Sequence, residues 1–177
     1  MKLIYIIFFF YITIFSNSIF AKSIAVVNIE YLIDNNIDYN NKLNDIEYDQ
    51  QKYLKNFELK EIQLKNKLKE IEDSKLILND SEINDQINKY NDELTEFTIL
   101  IEDFNLHYQE QIVKLREILL KEIIKLLEKY AIENKIELIL DSRSYLIASN
   151  SIDITNSINT ELQKIKFKLE YKSFEKN

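Results

Sequence analysis

Ile83, Ile87, Tyr90, Leu94, Phe97, Ile101, Phe104 and Tyr108 follow one another at alternating steps of four and three, the spacing of a coiled-coil seam. The phase then slips by one through Ile112, Leu115, Leu119, Ile123 and Leu126, a stutter-like offset, and Tyr130 continues the stripe. Upstream, Asn41 to Leu78 is charged and helix-forming. Its apolar residues, among them Leu43, Ile46, Tyr53, Phe57, Leu64, Leu68 and Ile71, recur mostly three, four or seven apart. Asn79-Asp80-Ser81 is the strong stop and N-cap cluster between the two stretches. Two amphipathic helices joined by so short a turn must fold back on each other, since neither buries its stripe alone. The pattern predicts an antiparallel hairpin arm over residues 41–134, with helices about 57 and 80 Å long.

The flanks have a different rhythm. Ser23 to Ile29 is short, β-branched and apolar on both faces, as a buried strand would be. Ile136 to Asp141 reads as a strand, Ser142-Arg143-Ser144 as a turn, and Tyr145 to Ser149 as a second strand. Asp153 or Thr155 can cap a last helix carrying Ile154, Ile158, Leu162, Ile165 and Leu169. The predicted class is α+β and mostly helical. Residues 22–40 and 135–177 form a small β-rich body, and the hairpin is inserted between its halves. Val26, Leu138, Leu140, Tyr145 and Ile147 are its expected core. These strands are too few to close a core within one chain, so the body is expected to trimerise.

Residues 1–21 read as an address. Lys2 precedes a thirteen-residue, largely apolar run from Leu3 to Phe15, and Ala21 suits the position before a cleavage point at Lys22. Thirteen helical residues span about 20 Å, short of a bilayer core of about 30 Å. Cleavage after Ser18 and an uncleaved anchor are the competing readings.

Composition removes most chemistry. The chain has 177 residues with no Gly, Pro, Cys or Trp and one His. Without glycine there is no phosphate-cradling loop, and without cysteine no disulfide, thiolate metal site or thiol nucleophile. His107 has no nucleophile near it in sequence and reads as structural or solvent-facing. No catalytic, cofactor-binding or metal-binding residues are expected, and the chain is not expected to be an enzyme. Losing residues 1–21 removes one lysine and no acid, taking the formal charge from −7 to −8, which disfavours nucleic acid as a partner. Residues 81–110 hold eight acids against Lys89 alone. They form either a solvated helix face or an electrostatic surface for a partner, with Glu93, Glu96 and Glu102 as candidate contacts. Tyr48 and Tyr53 are further candidates: the arm aromatics mostly fall at seam spacing and read as core, but any ring that misses the seam would make undemanding contacts with unfolded chains.

The strand Ile24-Ala-Val-Val-Asn-Ile29, the long charged hairpin, Leu138-Ile-Leu-Asp141, and Tyr145-Leu-Ile-Ala-Ser149 followed by Asp153-Ile154-Thr155 resemble, in that order, the Skp/OmpH family of periplasmic chaperones. Asp141, Ala148, Asp153, Ile154 and Thr155 match recurring family positions with roles in the body and fold. The resemblance implies a homotrimer in the periplasm of a Gram-negative bacterium. Its helical arms would enclose unfolded outer-membrane β-barrel proteins, without ATP or any cofactor. Well-known members are basic and linked to acidic lipids, whereas this chain is acidic, which argues against an anionic-lipid contact. The alternative is a structural coiled-coil spacer or adaptor of the envelope without unfolded clients.

Overall fold

The computed structural model describes residues 23–175, so the expected signal segment and its cleavage point at Ala21 and Lys22 lie outside the described residues. Strand β1, Ile24–Val27, buries Ala25, Val26 and Val27. It pairs in parallel with β2, Leu138–Asp141, in a register running from Ile24 opposite Leu138 to Val27 opposite Asp141. Parallel neighbours cannot be joined by a tight turn, so the connection must leave one end of the pair and return to the other. Here the connection is α1 (Ile29–Asp34), α2 (Ile37–Ser74) and α3 (Asp80–Asn134) together. The free edge of β1 is met by Asp153 and Ile154, with the Ile154 N–H donating to the Val26 carbonyl at 2.9 Å. Helix α4, Thr155–Leu162, closes the body with Ile158 and Leu162.

The strand expected over 145–149 does not form. Between 3-10 turns at Ser142–Ser144 and Asn150–Ile152 the chain is irregular, and Leu146 and Ile147 are 100% and 92% exposed. The second edge of β1 is taken by Asp153, and among the described residues the 145–149 run makes no ladder with the open edge of β2. Of the residues expected in the body core, Val26 is buried, and Leu140 and Tyr145 are half-buried. Leu138, at 46% exposure, and Ile147 lie outside the core of this chain.

Of the residues matched to the family by resemblance, Asp141, Asp153 and Thr155 tie the body together through their side-chain oxygens. Asp141 accepts the Ile29 N–H at the start of α1 (3.3 Å) and the Arg143 Nε–H (2.7 Å). Thr155 Oγ1 accepts the Asn28 N–H at 2.9 Å, and Asp153 accepts the Thr155 N–H at 2.8 Å. The expected cap of the last helix is therefore only partly met, because the residue at the cap position itself is Ile154.

With no glycine, helix ends rely on asparagine. Asn28, Asn36 and Asn79 each accept an N–H from the first turn of their helix, and Asn79 and Glu82 form a reciprocal capping box. The left-handed position after α3 falls on Lys135 (φ 56°), where a glycine would avoid the Cβ penalty.

Helix α2 begins four residues before the expected arm boundary and stops at Ser74, short of Leu78. The Ser74 carbonyl accepts from both Ile77 and Leu78, which tightens the turn and leaves Leu76 and Ile77 exposed at the tip. From their lengths, 38 and 55 residues, α2 and α3 extend about 57 and 82 Å. On α3 the buried residues are Ile83, Phe97, Phe104, Tyr108, Gln111, Leu115, Leu119, Ile123 and Leu127. The heptad therefore continues through Gln111 to Leu115, and the slip comes four residues at a time beyond it. Ile112 and Leu126, placed on the seam by an apolar-only pattern, are half-buried beside it. Ile87, Tyr90 and Ile101 are likewise half-buried, and Leu94 is turned out at 39% exposure.

Phe104 is the hub of the arm, stacked edge-on or tilted against Tyr53, Phe57, Tyr108 and Phe174 with ring centroids 5.0–5.5 Å apart. Phe104→Ala is expected to cost about 3–5 kcal/mol, the range for truncating a buried aromatic. The loss should appear as faster proteolysis of the arm, with the β1–β2 body retained.

Candidate functional site

The arm presents two surfaces, one between its helices and one facing away from the seam. On α3, Ile99, Leu106 and Val113 are seven residues apart, about halfway round the helix from Phe97. They are 51%, 55% and 48% exposed. On α2, Tyr48, Leu59 and Ile62 occupy the corresponding outer face, with exposures of 67%, 52% and 49%. The Lys52 ammonium lies 4.8 Å from the Tyr48 ring centre, leaving most of that ring open. Leu59 and Ile62, three apart, lie side by side, while Ile99, Leu106 and Val113 are spaced two turns apart along α3.

The inner surface is organised round polar residues within the apolar stripe. Asp49 occupies a seam position between Ile46 and Tyr53 and is buried. The Tyr108 hydroxyl donates to its Oδ2 at 2.6 Å and itself accepts the Phe174 N–H at 3.2 Å. Burial alone would raise the Asp49 carboxyl, but hydrogen bonds from Tyr108, Ser173 and Lys52 hold it below its ordinary range. Burial, and then the bond to Asp49, pushes the Tyr108 phenol upward, so it remains a donor. Gln111 accepts the Lys172 N–H at 3.2 Å, and His107 Nε2 donates to the Lys172 carbonyl at 2.7 Å. His107 is thus structural. The single apolar-stripe signal available in sequence was the intrusion of Asp49 and Gln111 at seam positions, and both mark where the C-terminal segment attaches.

Tyr53, expected as an exposed contact, lies instead in this aromatic group, and its hydroxyl donates to the Phe174 carbonyl. Tyr48 keeps its exposed position. Glu93 is not a free acid: Lys67 Nζ reaches it at 2.5 Å and Lys60 Nζ at 3.4 Å, both from α2. Its hydrogen bond from Lys67 is the main cause of a carboxyl held below the usual range. The acidic surface of α3 therefore depends on Glu96, Glu102 and their exposed neighbours. A groove of about 1420 Å³ opens between the helices, lined by Phe57, Phe97, Leu100, Glu96 and Asp103 and ending at Phe174. Among the described residues no cluster of His, Asp or Glu could hold a metal ion, and no helix is long and apolar enough to cross a membrane.

Because Asp49 titrates lower in the folded chain than its ordinary 3.8, its contribution is complete above that value and lost as pH falls through the lower folded one. The Phe174 amide resonance, followed from neutral pH to about pH 2, should show a transition with its midpoint below the ordinary carboxylate value. Asp49→Asn should abolish that transition.

The sequence model of the OmpH-like outer membrane protein family matches residues 23–162, which span β1, the whole arm, β2 and α4. No curated relative matches the sequence. Among solved structures, a candidate outer membrane chaperone (OmpH-like) from Caulobacter crescentus CB15 is similar, with a TM-score of 0.60 at 11% identity. The alignment covers 84% of this chain and 90% of that one, so the likeness is one of fold. With a family match running from the first strand to the last helix, the chain belongs to the OmpH-like outer membrane protein family.

Proposed function

We propose that this chain is an ATP-independent holdase of the periplasm that keeps unfolded outer-membrane β-barrel proteins from aggregating. The observation that carries the reading is the outer face of the arm, where Tyr48, Leu59, Ile62, Ile99, Leu106 and Val113 stand about half exposed on two long helices. Many weak apolar contacts distributed along a rod suit a client without fixed structure. Each releases easily, yet together they raise apparent affinity. Family membership supports a chaperone role, and the absence of glycine leaves no phosphate-cradling loop for a nucleotide-driven cycle. Diluting a urea-denatured eight-stranded outer-membrane barrel into buffer should give strong light scattering, and equimolar assembled chain should suppress it. Scattering unchanged by the chain would favour a spacer or adaptor, a reading to which the exposed tip residues Leu76 and Ile77 lend themselves.

The assembly we propose is a homotrimer with its arms enclosing the client. Supporting this, β2 is paired on one edge only among the described residues. Beyond it, Leu146 and Ile147 hold their side chains almost wholly in solvent, while Leu138 is about half exposed. Three short β-pairs sharing such edges could close a core that one chain leaves open. Light scattering coupled to size-exclusion chromatography should give about three times the mass of the exported chain. Ile147→Asp should shift the assembly toward monomer while leaving helicity intact.

A further inference from the structure

The chain continues past the family match as a segment that is neither body nor helix. The last helix was expected to run through Ile165 and Leu169, but α4 ends at Leu162, and residues 166–175 cross back over the arm without regular structure. From Ile165 to Lys172 this strap alternates without exception: Ile165, Phe167, Leu169 and Tyr171 are buried or half-buried, and Lys166, Lys168, Glu170 and Lys172 are exposed. Period-two alternation with aromatic and aliphatic residues on one side is the pattern of a β-strand, including one that spans a membrane as part of a barrel. Here it pairs with no strand among the described residues.

What holds the strap is largely its backbone. The Phe167 N–H donates to Asp38 at 3.1 Å, the Lys172 N–H to Gln111 and the Phe174 N–H to Tyr108. The Lys172 and Phe174 carbonyls accept from His107 and Tyr53. Leu169 and Phe174 supply the buried anchors, with Phe174 edge-on to Tyr53 and Phe104. Arm side chains that bind main-chain groups, beside pockets that accept one apolar residue in two, recognise an extended chain and ask little of its sequence. The seat also continues beyond Phe174 into the open groove by Phe57 and Phe97.

We propose that the strap is a resident occupant of a client-strand seat. An extended segment of an unfolded β-barrel, alternating apolar and polar, takes the same seat by displacing it. This rests on the holdase reading and adds where the arm grips a client and what covers that grip when it is empty. A tethered occupant competes at high effective concentration, so apparent affinity for a free strand is reduced by the fraction of arms whose seat is open.

The test uses the full chain and a fluorescein-labelled peptide of the sequence of residues 164–177, read by fluorescence anisotropy. With the strap docked nine-tenths of the time, Leu169→Ser combined with Phe174→Ser should bind the peptide about tenfold more tightly than the unmodified chain. Urea-denatured barrel should displace the peptide from that variant. Because the anchors also pack the arm, a second variant guards against misfolding. Glu117→Cys with Glu170→Cys, neither of which lines the aromatic groove, joined by a short bis-maleimide, holds the strap down in an otherwise cysteine-free chain. The joined form should lose peptide binding and capture barrel more slowly than the same pair left unjoined. Equal peptide affinity in folded open-strap and unmodified chains, or equal barrel capture by joined and unjoined chains, overturns the proposal. Failure of every form to suppress barrel scattering, while the open variant still binds peptide, overturns the holdase reading instead and leaves a strand-binding seat.

Discussion

The parallel pairing of Ile24–Val27 with Leu138–Asp141 governs the rest of the architecture. An antiparallel pair could be closed by two residues, but a parallel one obliges the chain to leave one end of the pair and return to the other. This chain does so with an excursion of two long helices, and the return brings the base of α3 against α1 and α4, where Leu32, Ile33, Leu119, Ile123, Ile158 and Leu162 pack as one core. Asp141 and Thr155 then fix the point of departure. Both accept backbone N–H groups at the β1–α1 junction, so the direction in which the arm leaves is set by hydrogen bonds from the far end of the sequence.

A rod of two helices has little interior, and its stability varies along its length. Near the body the arm is reinforced by α1, α4 and the C-terminal strap, and the buried residues on α3 are closely spaced from Phe104 to Leu127. Beyond Phe97 toward the tip, burial is sparse: Ile83 on α3, with Leu64 and Ile71 on α2. Lys60 and Lys67, both reaching Glu93, cross between the helices there, though such partly exposed ion pairs add little. Local opening is therefore easiest in the outer arm.

The polar residues of the seam are coupled to the strap in a way that makes sense of both. A buried carboxylate such as Asp49 would be costly without partners. Tyr108, Ser173 and Lys52 supply them, and one comes from the strap itself. Releasing the strap removes a hydrogen bond from Asp49 and the acceptor of the Tyr53 hydroxyl, and opens both groups to water or to another chain. On the proposal above, a client segment would satisfy the seat by offering a carbonyl to Tyr53 and a donor, such as a serine hydroxyl, to Asp49.

The hairpin, its turn at Asn79, the buried strand at Ala25–Val27 and the parentage of the chain were legible in sequence because they rest on local rules. Heptad spacing forces two stripes together, an asparagine caps the helix that follows, and a short β-branched run has no stable exposed state. Partner choice was not local. Nothing near Tyr145 to Ser149 indicates that β1's other edge goes to Asp153 and Ile154, or that the run pairs with neither strand and leaves Leu146 and Ile147 in solvent. Nor does the alternation from Ile165 to Tyr171 say whether the helix continues or the chain straightens, since Ile158, Leu162, Ile165 and Leu169 also fit a helical stripe. Tertiary contacts decided it: Asp49 and Gln111, polar intrusions when the arm is read alone, become attachment points only when a segment about sixty residues from either Tyr108 or Gln111 folds back onto them. Periodicity determines which face of a helix is buried, but only the three-dimensional arrangement determines what buries it.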